Sequence, residues 1–214
     1  MKFSIFTGMT GTTWDEILTL WRHADPTGWD AACVTDHFMP NTADRVGDTL
    51  ECWTALAALA GLTTRLRVGT IVSGNTYRHP ALLAKMATNV DIISRGRLIC
   101  GVGAGWQENE HRAYGMDFYT VRERLARLDE ACHVLKALWT EAKADYKGRY
   151  YQLDEQAREP RLAHHGDRRG GRHRAQAAQR GHRLEHVAQR ARVNDQEPGF
   201  HLTSRVAARS IQPP

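Results

Sequence analysis

The feature that most constrains this chain is an alternation. Up to about residue 153, short apolar runs of five to seven residues are each followed by a stretch with helical spacing, and the pattern recurs four times. A strand that returns through a helix to lie beside its predecessor pairs in parallel, so repeated βα units specify a parallel sheet covered by helices. The first unit is a strand at 3–7 and a helix at 14–23, with Thr12 or Thr13 as cap and Asp15 and Glu16 in the first turn. The second is a strand at 31–35, a long polar loop at 36–48 and a helix at 52–60 closed by Gly61. The third is a strand at 66–72 and a helix that Pro80 opens and Leu83, Met86, Val90 and Ile93 continue. The fourth is a strand at 97–102, a glycine-rich turn and a helix at 121–139 with an apolar stripe of Val121, Leu125, Leu128, Cys132, Leu135 and Leu138. A small hairpin is expected at 146–153, around Lys147-Gly148.

Length bears on how much of an α/β barrel can be present, because a complete eight-fold barrel takes about 250 residues and this chain has 214. The formal charge of +5 is unevenly placed: residues 1–155 carry 17 Lys and Arg against 19 Asp and Glu, and residues 156–214 carry 12 Arg, no Lys and 5 acids. In that second stretch only eight residues are Ile, Leu, Val, Phe or Met and Phe200 is the one aromatic, too little apolar area to offset the entropy of ordering. Two regions are therefore expected, an ordered 1–155 and a disordered Arg/His-rich tail at 156–214. Cys33, Cys52, Cys100 and Cys132 form no CxxC pair and follow no secretory leader, so they read as reduced thiols of a cytoplasmic protein. No apolar span is long enough for a membrane helix, and no metal framework is visible, His164, His165 and His173 lacking partner ligands.

In a parallel barrel the loops after the strands converge on one rim, so residues just beyond each strand are the candidate site. After the second strand comes Thr35-Asp36-His37-Phe38, an imidazole presented beside a carboxylate that could orient it; His37 and Asp36 are the catalytic candidates. After the third comes Ser73-Gly74-Asn75-Thr76-Tyr77-Arg78-His79-Pro80, small and polar where a ring could approach the backbone. The same residues would also make a plain loop with Asn75 or Thr76 capping a helix, as His37 would make an ordinary loop histidine. After the fourth comes Gly101-Val102-Gly103-Ala104-Gly105-Trp106, whose glycines lack the spacing of a dinucleotide fingerprint. Three such segments on one rim, with Trp106, Asn109 and Glu110 beyond, point together to a planar heterocycle.

That combination, continued through Glu110-His111-Arg112-Ala113-Tyr114-Gly115 and the Gly148-Arg149-Tyr150-Tyr151 segment, resembles the luciferase-like monooxygenase family, and within it the deazaflavin-dependent branch. The resemblance covers residues 1–155. It implies a TIM-type (β/α)8 barrel that binds coenzyme F-420, or alternatively FMN, and passes hydride between the ring and a small organic substrate. It further implies His37 near the reacting carbon with Asp36 alongside, a cofactor site built from Ser73, Gly74, Asn75, Thr76, Gly103, Gly105, Trp106 and Asn109, and a non-prolyl cis peptide at Ser73–Gly74.

In the family a fifth strand and a glycine run follow the hairpin, whereas Glu159-Pro160 here leads into Arg161-Leu162-Ala163-His164-His165-Gly166-Asp167-Arg168-Arg169-Gly170-Gly171. Codons for His165 to Gly170, read one base later, are compatible with Met-Val-Ile-Gly-Gly-Gly, so a frameshift near 156–163 is expected, with the barrel truncated to about its first four βα units and activity impaired. Two other readings stay open. The tail could bind nucleic acid through its arginines, although it lacks stacking aromatics and clustered lysines. A half-barrel could also be a non-enzymatic dimerising scaffold, two copies completing each other's sheet edges as a homodimer.

Overall fold

A computed structural model describes residues 1–41 and 47–157. The tail expected to be disordered, apart from its first two residues, lies outside the described residues. The first βα unit is β1 (Ser4–Thr7) and α1 (Trp14–Ala24), opened by a capping box in which the Thr13 hydroxyl accepts from the Glu16 N–H and the Glu16 carboxylate accepts from the Thr13 N–H. The second is β2 (Ala31–Val34) and α2 (Cys52–Leu62). That helix runs through Gly61 instead of stopping there: a Cβ on Gly61 would touch Ile93 at 3.6 Å, so packing against the neighbouring helix holds this turn in place.

The third and fourth strands are each interrupted. β3 (Arg67–Thr70) is followed by β4 (Ser73–Gly74) and α3 (Pro80–Ile93); β5 (Leu98–Ile99) is followed by β6 (Val102–Gly103), α4 (Glu108–Ala113) and α5 (Val121–Thr140). Between β3 and β4 the Ile71–Val72 peptide is cis, two residues before the Ser73–Gly74 position expected from sequence. The break is spanned by one side-chain and one backbone bond, Thr70 Oγ1 and the Ser73 N–H both donating to the Gly101 carbonyl. Pro80 occupies the first turn of α3 as expected, but the cap is His79, whose Nδ1 accepts from the Ala81 N–H, and neither Asn75 nor Thr76. On α5, Leu128, Leu135 and Leu138 are buried while Val121 is exposed. The hairpin forms from β7 (Ala144–Lys147) and β8 (Gln152–Ala157), the latter ending four residues past the expected hairpin and two past the expected region boundary at 155. The Glu130 carboxylate ties it to α5 by accepting the N–H groups of Arg149, Tyr150 and Tyr151.

β1, β2, β3 and β5 form one parallel sheet in that order, and β4–β6 continue its last two strands. Register fixes the two faces. Ile5, Ala32, Val68 and Leu98 are aligned and pack on the helices, whereas Phe6, Cys33, Gly69 and Ile99 form the adjacent row on the opposite face. Gly69 is obligatory in that row, since a Cβ there would stand 2.3 Å from the Ile99 carbonyl oxygen. Among the described residues the parallel strands form an open sheet with helices packed against it, and the loops after β2, β4 and β6 meet along one rim.

Candidate active site

His37 sits on that rim directly beyond β2, its side chain 25% exposed. Its Nδ1 lies 2.9 Å from Oε2 of Glu110, which α4 carries and which is fully buried. A carboxylate can only accept, so Nδ1 bears the proton and Nε2 is the ring nitrogen left for a ligand. Glu110 is held from three sides: it also accepts from the Phe38 N–H and, at 2.7 Å, from the Tyr77 hydroxyl. Burial pushes the Glu110 carboxyl upward, but the bonds from His37, Phe38 and Tyr77 outweigh it and hold the group below the usual carboxylate range. Burial, and after it the same carboxylate, pushes the Tyr77 hydroxyl far above its ordinary value, so Tyr77 remains a donor.

Asp36 does not support His37 in this arrangement, which corrects the expectation from their adjacency. Successive residues leave a strand in opposite directions, and Asp36 turns inward, where it is buried. Both of its oxygens accept from the Arg78 guanidinium, and Oδ2 also accepts from Ser73 Oγ (2.8 Å) and the Gly74 N–H (3.0 Å). Arg78 reaches Glu51 as well, at 3.3 Å, and although burial opposes its charge these carboxylates raise its pKa. Asp36 thus ties β4 to the end of β2, and Glu110 is the group that orients the imidazole.

The other candidates divide in two. Ser73, Gly74 and Asn75 are buried and engaged by the protein: Ser73 Oγ also accepts from Trp53 Nε1, Tyr77 covers Gly74, and the Asn75 amide donates to Tyr151 Oη. Thr76, Gly103, Gly105, Trp106 and Asn109 are partly or fully accessible along the rim. The loop carrying Trp106 is set by Gly105, at φ +79°, where a Cβ would stand 2.6 Å from Thr76 Oγ1. That hydroxyl donates to His111 Nε2 at 2.6 Å, and His111 Nδ1 donates to the Gln107 carbonyl. Trp106 then stands edge-on to His37, with ring centroids 5.8 Å apart. Sequence reasoning did not assign Glu110, Tyr77, Arg78 or His111; only Glu110 carried a signal, as an acid one helical turn into the segment after the glycine run.

A planar cofactor fits what remains open. Ile71 and Val72 are exposed beside the glycine turn, and both polar atoms of the buried Gln107 amide lack a protein partner among the described residues. Apolar wall, backbone amides and an uncommitted carboxamide are a donor set for a neutral heterocycle; among the described residues no group of His, Cys, Asp and Glu could hold a metal ion.

The rim defines a class, a parallel α/β sheet presenting a carboxylate-oriented imidazole next to a glycine turn. The sequence model of the luciferase-like monooxygenase family matches residues 1–169, and the chain belongs to that family. It is 35% identical over 131 residues to F420-dependent glucose-6-phosphate dehydrogenase of Amycolatopsis mediterranei (strain U-32), covering 61% of this chain and 39% of that protein. It is 38% identical over 109 residues to pyrimidine monooxygenase RutA of Serratia proteamaculans (strain 568), covering 50% and 29%. Among solved structures, an F420-dependent secondary alcohol dehydrogenase in complex with an F420-acetone adduct superposes with a TM-score of 0.65 at 25% identity, over 72% of this chain and 47% of that one. Monooxygenase RslO1 from Streptomyces bottropensis gives 0.65 at 27% identity, over 75% and 50%. The chain spans about two fifths of the length of the curated dehydrogenase. No helix among the described residues is long and apolar enough to cross a membrane.

Proposed function

We propose that this chain carries the reactive half of a deazaflavin-dependent oxidoreductase site, binding coenzyme F-420, with FMN as the alternative ring, and acting on a small organic substrate. The observation that carries the reading is the His37–Glu110 pair, a partly exposed imidazole on the rim whose Nδ1 is fixed by a buried carboxylate held below its usual range. A bound deazaflavin supplies hydride acceptance or donation at its ring. The residues of this chain would do the rest: Ile71, Val72 and the turn from Gly103 to Trp106 would hold the ring, and His37 Nε2 would take or give the substrate proton. Glu110 stabilises the imidazolium that forms when Nε2 accepts. The similarity to F420-dependent dehydrogenases favours F-420, and the absence of a disulfide among Cys33, Cys52, Cys100 and Cys132 fits a cytoplasmic setting.

The test is hydride transfer. Purified chain with F-420 and a panel of secondary alcohols, aldose phosphates and pyrimidines, followed by bleaching of the deazaflavin absorbance, should show turnover lost in His37→Ala. Equal turnover in that variant would refute the assignment of His37. Turnover supported by reduced FMN and oxygen alone would move the reading to the flavin alternative.

A further inference from the structure

Glu110 receives its three donors unevenly. Oε1 takes the Phe38 N–H, while Oε2 takes both His37 Nδ1, at 2.9 Å, and the Tyr77 hydroxyl, at 2.7 Å. His37 and Tyr77 therefore draw on the electron density of one oxygen, and each weakens the acceptor that the other uses. The Tyr77 ring is held independently of that bond. It stacks on His111 with centroids 4.9 Å apart, lies 4.7 Å from the Phe38 ring and fills the space beside Gly74, where a Cβ would stand 2.5 Å from Tyr77 Cε2. The hydroxyl is thus a separate functional element on an already fixed ring.

We propose that Tyr77 is a positioning residue that sets the pH at which His37 takes up a proton at Nε2, acting through the Glu110 oxygen that both side chains share. The inference deepens the functional reading above and rests on it only for the use to which that proton is put. Nδ1 keeps its proton against the carboxylate, so uptake at Nε2 creates an imidazolium, which Oε2 stabilises with whatever charge Tyr77 has not drawn off. Without the hydroxyl, Oε2 serves His37 alone, the imidazolium gains, and uptake moves to higher pH. The neighbouring charges are committed elsewhere among the described residues. Asp36 and Arg78 act on Tyr77 with opposite signs as a buried pair, with Glu51 behind Arg78. His111 has both ring nitrogens engaged, by Gln107 and Thr76, the Tyr114 hydroxyl donates to the Phe38 carbonyl, and Glu108 pairs with Arg112 on the exposed side of α4. Trp106, edge-on to His37, carries no charge.

An NMR titration of the His37 ring in the full chain, its signals assigned with His37→Gln, tests the proposal without cofactor or substrate. Tyr77→Phe keeps the ring and deletes only the donor, and the half-protonation pH of His37 should rise by about 0.5 unit or more relative to wild type. A 3-fluorotyrosine incorporated at position 77, a stronger donor of nearly the same shape, should lower it. A change below about 0.2 unit in Tyr77→Phe, or a fall, overturns the proposal. Should Tyr77→Phe fail to fold, the fluorinated side chain decides alone, and a rise or no change there overturns it. The rate profile with F-420 separates this inference from the functional reading. If His37 carries the substrate proton, the acid limb of that profile moves upward with the imidazole in Tyr77→Phe. An imidazole that moves while the rate profile stays put, or a chain with no turnover, refutes His37 as the proton carrier and leaves the control by Tyr77 standing.

Discussion

Replacing Glu110 by Gln is the most informative single change, because it keeps the shape of the buried side chain and removes only its charge. In the wild type one oxygen faces the Phe38 N–H and the other faces His37 Nδ1 and the Tyr77 hydroxyl. A carboxamide cannot accept from both sides. If its oxygen faces Phe38, its NH₂ group faces His37, and Nδ1 must give up its proton, moving it to Nε2. If the oxygen faces His37, two N–H donors confront each other at Phe38. Either outcome replaces charge-assisted bonds, at about 1.5–3 kcal/mol each, with neutral ones at about 0.5–1.5 kcal/mol. With one contact also lost or inverted, we expect Glu110→Gln to destabilise by about 2–4 kcal/mol at pH 7. That corresponds to roughly 4–16 °C in melting temperature for a domain of this size. The sign with pH follows from the lowered pKa of Glu110. A depressed carboxylate contributes stability above its unfolded value, about 4.3, and loses that contribution as pH falls through the lower folded value. The gap between wild type and variant should therefore be full at pH 7 and shrink below about pH 4. Urea unfolding across that range measures it. A difference under about 0.5 kcal/mol at neutral pH, or one that widens with acid, would refute the reasoning.

Arg78→Met strips the buried Asp36 carboxylate of its bidentate partner; the expected loss is about 3–5 kcal/mol, read as a lowered urea midpoint. Gly105→Ala combines a left-handed backbone with a Cβ 2.6 Å from Thr76 Oγ1; it should cost about 1–3 kcal/mol and weaken cofactor binding, and wild-type affinity in this variant would show that the turn is not part of the ring site. Gly69→Ala meets backbone rather than a yielding side chain, the Ile99 carbonyl oxygen at 2.3 Å, and should leave little folded protein by circular dichroism. For the tail, the encoding DNA is expected to hold a strand and glycine run in the adjacent frame across 165–170; a frame with no such continuation rejects the frameshift.

Local chemistry made the architecture readable: buried parallel strands announce themselves as apolar runs, and Thr13, one of two cap candidates, and Pro80 mark helix starts that the structure keeps. What escaped depended on residues far apart in the chain. Glu110 and His37 are 73 positions apart, and Asp36 and Arg78 are 42 apart. Nothing in the Asp36-His37 pair reveals that one side chain goes inward to an arginine and the other outward to a glutamate. The third and fourth strands read as continuous because their apolar residues are continuous; the interruption comes from Thr70 and Gly101 bonding across the sheet. Gly74 packs against Tyr77 and is buried, so it is not open to a ring in the way its sequence neighbourhood suggests, whereas Gly103 touches Val72 and stays partly accessible. Family membership was legible from the rim segments, and the family model extends that match to residue 169.

The claim on which the account rests is that this rim holds a deazaflavin. Equilibrium titration of F-420 and of FMN into folded chain, followed by the ring's absorbance and fluorescence, tests it most directly. The account expects saturable F-420 binding, weaker FMN binding, and a loss of F-420 affinity in Gly105→Ala. Protein that is folded by circular dichroism yet binds neither ring would contradict it.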